Sequence, residues 1–212
     1  EKGGQFSVRP RGLQSANPCY LPSTNILMNQ MVAENGAVNV VDYMPVHRKD
    51  GNRRDVGESI ICRHIECTRG IDVHVEIRFE PRPDYGRGDV QLELDPFGAT
   101  SPDGRLVLRC SHRIEWTDPE AGEGVIRVSH GDDARLVLFY DPVDIPRDLI
   151  AWTDAMLFDT RAYWELWASR CLYRGQWRRL VERSALTLKL LTFKPTGAIL
   201  AAPTASLPEG IG

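Results

Sequence analysis

The sequence predicts an antiparallel β-sandwich followed by helices. Two observations carry this expectation. Short apolar runs, broken by Gly, Pro and Asp, recur through the first two thirds of the chain. Near Asp141-Pro142 the apolar spacing changes to steps of three and four. Strands first and helices afterwards imply a β domain joined to an α part rather than an alternating α/β fold.

The strands are read in order. Residues 25–32 and 37–43 flank Glu34-Asn35-Gly36. Asn-Gly marks a hairpin, because both residues tolerate positive φ. Residues 59–67 are rich in Ile and end at Thr68-Arg69-Gly70. After them Ile71, Val73, Val75, Ile77 and Phe79 alternate with Asp72, His74, Glu76, Arg78 and Glu80, the pattern of a strand with one wet face. The two runs are expected to form a second hairpin. Further strands are expected at 90–94, 105–110, 125–129 and 135–140.

The helices follow. Residues 146–171 have helical spacing, with Trp152, Met156 and Leu157 on one face and Trp164 and Trp167 three apart. Gly175 breaks the pattern. A second helix is expected from about 176 to 192, ended by Pro195 and Gly197. Its stripe of Trp177, Val181, Leu188 and Leu191 is long, and little chain follows to cover it. Such a face left open is an association patch, so self-association through this helix is one expected contact.

Composition narrows the function. The chain has 212 residues, 42% apolar and 26% charged, close to globular averages. Its 26 Lys and Arg against 29 Asp and Glu give a net charge of −3, so nothing in the charge calls for nucleic acid. No apolar run reaches the ~18 residues of a membrane helix. Cys19, Cys62, Cys67, Cys110 and Cys171 are scattered and odd in number, which favours reduced thiols and a cytoplasmic setting.

Residue chemistry yields no catalytic signature. On a strand, Cys62 and His64 point to one face and Cys67 to the other, so no metal site is expected there. Asp132-Asp133, and Asp141 with Asp144, read as turn or cap residues. Pro83-Asp84-Tyr85-Gly86-Arg87 reads as a structured turn. Arg174, Arg178, Arg179 and Arg183 read as a charged helix face. Trp164, Trp167, Tyr173 and Trp177 read as packing. No catalytic residue, metal ligand or cofactor is assigned, and no substrate-binding residue is identified.

A resemblance adds to this. Tyr173-Arg174-Gly175-Gln176-Trp177 precedes RSALTLKLLTFKPTGAILAAPTASLPEGIG at 183–212. This stretch resembles glycoside hydrolase family 15 in its prokaryotic form, the glucoamylase, glucodextranase and trehalase-like enzymes. Tyr20-Leu21-Pro22-Ser23-Thr24-Asn25 resembles the family's Tyr-Leu-Pro-Gly-Thr-Asn, with Ser23 in place of Gly. Val41-Asp42-Tyr43-Met44-Pro45 and Asp84-Tyr85-Gly86-Arg87 also resemble its β domain. The resemblance implies an N-terminal super-β-sandwich over 1–145, a helical linker over 146–175, and the first helix of an (α/α)6 barrel within 176–212, the barrel being truncated. It implies that the parent enzyme hydrolyses an α-glucoside, an oligosaccharide or trehalose, with inversion. The family's acid and base glutamates lie in later barrel loops, so this chain is expected to be an inactive scaffold, with 203–208 leading toward the sugar pocket. The alternative is a stand-alone carbohydrate-binding or protein-interaction sandwich without catalysis.

Overall fold

A computed structural model describes residues 4–46, 59–88, 90–193 and 195–201. The strands are β1 (Gln5–Pro10), β2 (Leu13–Tyr20), β3 (Leu27–Ala33), β4 (Gly36–Tyr43), β5 (Ser59–Arg69), β6 (Asp72–Glu80), β7 (Glu93–Asp95), β8 (Gly98–Thr100), β9 (Leu106–Cys110), β10 (Glu115–Asp118), β11 (Glu123–Ser129) and β12 (Asp133–Tyr140). The helices are α1 (Pro83–Gly86), α2 (Leu149–Ala168) and α3 (Arg178–Leu190). The β-rich fold followed by helices is therefore as expected.

The strands form two antiparallel sheets. The smaller has the order β1-β6-β11-β10 and the larger β2-β3-β4-β5-β12-β9-β8-β7. Their facing sides bury one core, with Val75, Ile77 and Phe79 from β6 against Val40, Ile65 and Leu136 from the large sheet. The outer side of the large sheet buries a second core against the helices. There Ile60, Val137 and Phe139 meet Met156 and Trp164 of α2 and Leu186 of α3. The layers run small sheet, large sheet, helices. Full burial of each large apolar side chain is worth ~1.5–3 kcal/mol, so both cores hold the large sheet in place.

One charged group stitches the two sheets together. Arg63, on the inner face of β5, pairs with Asp42 through Nε at 3.0 Å. Its Nη1 donates to the carbonyl of Phe6 in β1 at 2.7 Å, and its guanidinium lies 4.4 Å from the Phe6 ring centre. Burial raises the Asp42 pKa, and Arg63 opposes that rise.

Two readings of the hairpins need correction. Residues 59–69 and 72–80 are not partners. β5 pairs with β4 and β12, whereas β6 pairs with β1 and β11 in the other sheet. The alternation in β6 serves stacking across the sandwich, and Gly70-Ile71 is the crossing between layers. The first hairpin exists, but not through positive φ at Asn35-Gly36. Gly36 already pairs with Ala33 inside the ladder, and neither residue is among those at positive φ. Glycine is required at 36 by proximity. A Cβ there would lie 2.2 Å from the Arg69 carbonyl oxygen and 2.7 Å from Val73 Cγ2.

The helices are shorter than expected. α2 begins after Asp148, whose carboxylate accepts from Ala151 N at 2.9 Å. It ends at Ala168, three residues short of the expected limit, and α3 has no side-chain cap at Trp177. β1, β2, β8 and β10 were not anticipated. β8 and β10 have only 3 and 4 residues, while all eight residues of β2 are exposed, so these strands carry little burial pattern. The turn read at 83–87 contains α1; the side chains of Asp84 and Tyr85 lie outside the description.

Gly70 has φ +105, and a Cβ there would approach the Asn35 carbonyl oxygen to 2.4 Å. Gly70→Ala is expected to lower stability by about 1–3 kcal/mol through backbone strain alone. Urea unfolding checks this, and an unchanged midpoint would contradict it.

Candidate functional site

The chemistry-bearing side chains converge where the helices meet the large sheet. Tyr43, His64 and Arg135 lie on its outer face and are 3%, 7% and 4% exposed. Ladder register sets them side by side, since His64 is opposite Arg135 and Tyr43 opposite Cys62. Tyr43 Oη donates to the Thr153 carbonyl of α2 at 2.8 Å. That spends its only proton, so the 3.1 Å contact with His64 Nε2 is an N–H of the imidazole donating to Tyr43. Arg135 Nη2 bridges Asp133 and Asp154 of α2, each at 2.8 Å. Its Nε and Nη1 are buried without a hydrogen-bond partner among the described residues.

Burial dominates the titration of this group. It holds the His64 imidazole down at about 4, with the Arg135 charge adding to the effect. It pushes the Cys62 thiol up to about 12 and the Tyr43 phenol well above its ordinary value. The cluster anchors α2 by hydrogen bonds to its backbone and side chains. Lower down, the Thr160 hydroxyl accepts from Val46 N at 3.0 Å.

A second group of contacts grips α3. The loop between β2 and β3, residues 21–26, is the segment that resembles the family motif. Ser23 has φ +58, the left-handed conformation that favours glycine. This explains why a glycine suits that motif position. In this chain Ser23 accepts the strain and donates to Glu182 Oε1 of α3 at 2.6 Å. Asn25 Nδ2 donates to the Leu186 carbonyl at 3.0 Å. Arg183 reaches back, donating to the Thr24 carbonyl at 2.6 Å and to Asn25 Oδ1, with its guanidinium 4.1 Å from the Tyr20 ring centre. Burial lowers the Arg183 pKa.

Between these contacts lies a cleft of about 250 Å3, lined by Pro22, Ser23, Glu165, Ser169, Arg178 and Glu182. Its two carboxylates are engaged. Glu165 pairs with Arg161 at 2.7 Å, and Glu182 lies between Ser23 and Arg178, the latter at 3.7 Å.

The residues singled out from sequence are dispersed. Cys62 and His64 face the helices, whereas Cys67 packs inside the sandwich. No group of three or more His, Cys, Asp or Glu converges on a metal position among the described residues. All five cysteines are free thiols. Asp141 has φ 47 and receives Arg105 through two contacts of 2.8 Å at the surface. The basic residues do not form one solvated face. Arg174 and Arg178 donate to the Cys171 carbonyl, and Arg183 belongs to the grip on the loop. The four aromatic residues do not form one cluster either. Trp164 packs against Tyr163 and Trp167, while Tyr173 and Trp177 are exposed. Residues 203–208 lie outside the description.

One constellation went unnoticed in the sequence. Ser111 Oγ is 3.0 Å from His112 Nδ1, and His112 Nε2 is 2.9 Å from Asp132 Oδ2. It has the order of a nucleophile relay. However, Ser111 N donates to the Arg135 carbonyl and His112 N to Cys110 Sγ. Neither backbone N–H is left to hold an oxyanion.

The chain is similar over its whole length to curated trehalases. It is 29% identical over 217 residues to the trehalase of Thermoplasma volcanium, covering 100% of this chain and 34% of that protein. It is 30% identical over 228 residues to the trehalase of Thermoplasma acidophilum, covering 100% of this chain and 36% of that one. The trehalase of Mycolicibacterium smegmatis is 30% identical over 228 residues, with 97% of this chain and 34% of the relative covered. The chain thus spans about a third of the length of the curated relatives it matches. No family model matches. These likenesses are to proteins curated as trehalases, of which the chain matches about a third.

Ser23 supplies a direct test of the grip. Ser23→Ala keeps the strained φ and loses the hydrogen bond, at a cost of about 1 kcal/mol. Ser23→Gly also loses the bond but relieves the strain, so it should cost less than Ser23→Ala. Thermal melts of the two variants check the order, and the reverse order would contradict this account of Ser23.

Proposed function

We propose that this chain is the N-terminal, non-catalytic part of a trehalase-like α-glucoside hydrolase. The observation that carries the reading is the likeness to trehalases along 97–100% of the chain. In this reading residues 1–145 are the sandwich, 146–175 the helical linker, and 176–212 the start of an (α/α)6 barrel. The remaining barrel helices would come from the rest of a trehalase-length protein.

The exposure of α3 supports this assignment. One of its residues, Leu186, is buried, in the core between the large sheet and the helices. Trp177, Leu180, Val181 and Leu188 are exposed. A helix gripped on one side by polar contacts and apolar on the other suits a position between two layers. Neighbouring barrel helices would cover that side. α2 fits the linker role, since it is tied to the large sheet at Thr153 and Asp154 and to the segment after β4 at Thr160.

The chemistry proposed for the parent is inversion. One carboxylic acid protonates the leaving glycosidic oxygen while a second carboxylate activates water on the opposite face, the pair ~6.5–9.5 Å apart. Neither member is assigned to this chain. The sandwich orients the first barrel helix, and the sugar is bound elsewhere in the parent. No helix of the described residues is long and apolar enough to cross a membrane, and the free thiols fit a reducing cytoplasm.

The test is glucose release from trehalose, maltose and isomaltose. The purified 212-residue chain is expected to show no turnover, whereas a protein that continues through the barrel hydrolyses at least one of them. Steady turnover by the chain alone would overturn the scaffold reading. Saturable quenching of Trp fluorescence by a glucan, without turnover, would favour a stand-alone binding module instead.

A further inference from the structure

We propose that His64 operates a proton-driven latch that releases α2 from the sandwich while both sheets stay intact. The proposal rests on what surrounds the imidazole. Tyr43 faces it from β4, Cys62 lies on its own strand, Arg135 and Asp133 face it from β12, and Asp154 faces it from α2. These are the titratable and charged groups around it among the described residues.

In the closed state His64 is neutral. Its Nε2–H donates to Tyr43, whose hydroxyl donates to the Thr153 carbonyl. A second proton on the ring would land at Nδ1. It would put a cation opposite Arg135, which is 95% buried at the side chain and already has two nitrogens, Nε and Nη1, without partners among the described residues. Both nearby carboxylates are engaged with Arg135 through the same Nη2; their charges favour the imidazolium, but burial and the Arg135 charge outweigh them. Two buried cations on neighbouring strands are costly unless water enters.

Lifting α2, which covers the cluster on this side, admits that water. α2 is the helix that packs over this part of the large sheet, through Met156 and Trp164. Opening it breaks the Tyr43–Thr153, Arg135–Asp154 and Val46–Thr160 contacts and uncovers Met156 and Trp164, but breaks no ladder hydrogen bond. The inner core between the two sheets is made of other residues and stays closed. Burial holds the folded pKa down at about 4, against about 6.5 for an exposed imidazole. The latch contribution is therefore complete above about pH 6.5 and is lost as pH falls through the folded value near 4.

Free thiols in the two cores make the order of opening measurable. Cys62 lies under α2, whereas Cys67 and Cys110 lie between the sheets, and Cys19 is exposed. The whole chain is treated with 4,4′-dithiodipyridine, which reacts with thiols in acid, and labelled peptides are mapped by mass. The rate at Cys62 relative to Cys19 is expected to rise by about tenfold per pH unit as pH falls between about 6.5 and about 4. Cys67 and Cys110 stay protected over that range. His64→Gln, which keeps a donor for Tyr43 but gains no proton, should flatten the dependence. Simultaneous labelling of all three buried thiols, a flat Cys62 ratio, or an unchanged slope in His64→Gln would each overturn the latch. Should the variant fail to fold, the order of labelling in the native chain still decides.

Discussion

The centre of the large sheet, around β5 and β12, is buried on both faces, and the rest of the structure depends on that constraint. Its inner face closes the sandwich and its outer face seats the helices. Both cores pass through the same backbone. In β12, Ala134 and Leu136 point inward while Val137 and Phe139 point toward α2, and all four are fully buried. In β5, Ile65 and Cys67 point inward while Ile60 and Cys62 point outward. Each polar residue buried on these two strands must therefore find a partner within the protein. Arg63 does so across the sandwich, and His64 and Arg135 do so toward α2. The polar anchor thus follows directly from placing helices over a sheet that is already half of a sandwich.

This constraint also marks what was legible in the sequence. β6 borders solvent on one side, so its alternation is plain. β12 is covered on both sides, and residues 136–139 are continuous apolar sequence, the sign of a doubly buried strand. Strand identity could be read from both patterns, but strand partnership could not. The chain crosses layers at Gly70 because β5 already has two neighbours, a fact that lies in β4 and β12. Short strands such as β8 give too few residues for any period to show.

The helix grip was legible only as a motif without a partner. Residues 20–25 stood out through their resemblance, and the stripe on the second helix stood out through spacing. Nothing local joins Ser23 to Glu182, which lies 159 positions later. Nor does spacing bring His64 opposite Arg135; ladder register does. Glycine in the family motif did carry information, because Ser23 proves to have positive φ. A serine there trades conformational ease for a hydrogen bond to the helix.

The two long helices answer different demands. α2 presents Met156 and Trp164 to the sheet and Phe158 and Leu166 to the other side. Apolar residues on opposite faces are characteristic of a helix placed within a larger body. α3 approaches the sandwich mainly through polar contacts and keeps most of its large apolar side chains away from it. Polar contacts fix direction, because hydrogen bonds and ion pairs are geometrically selective, whereas apolar packing supplies most of the stabilisation. The sandwich therefore aims α3 more than it stabilises it. In the proposed reading, stabilisation of α3 would come from the barrel helices that cover Trp177, Val181 and Leu188, the division of labour that a scaffold orienting a neighbouring domain requires.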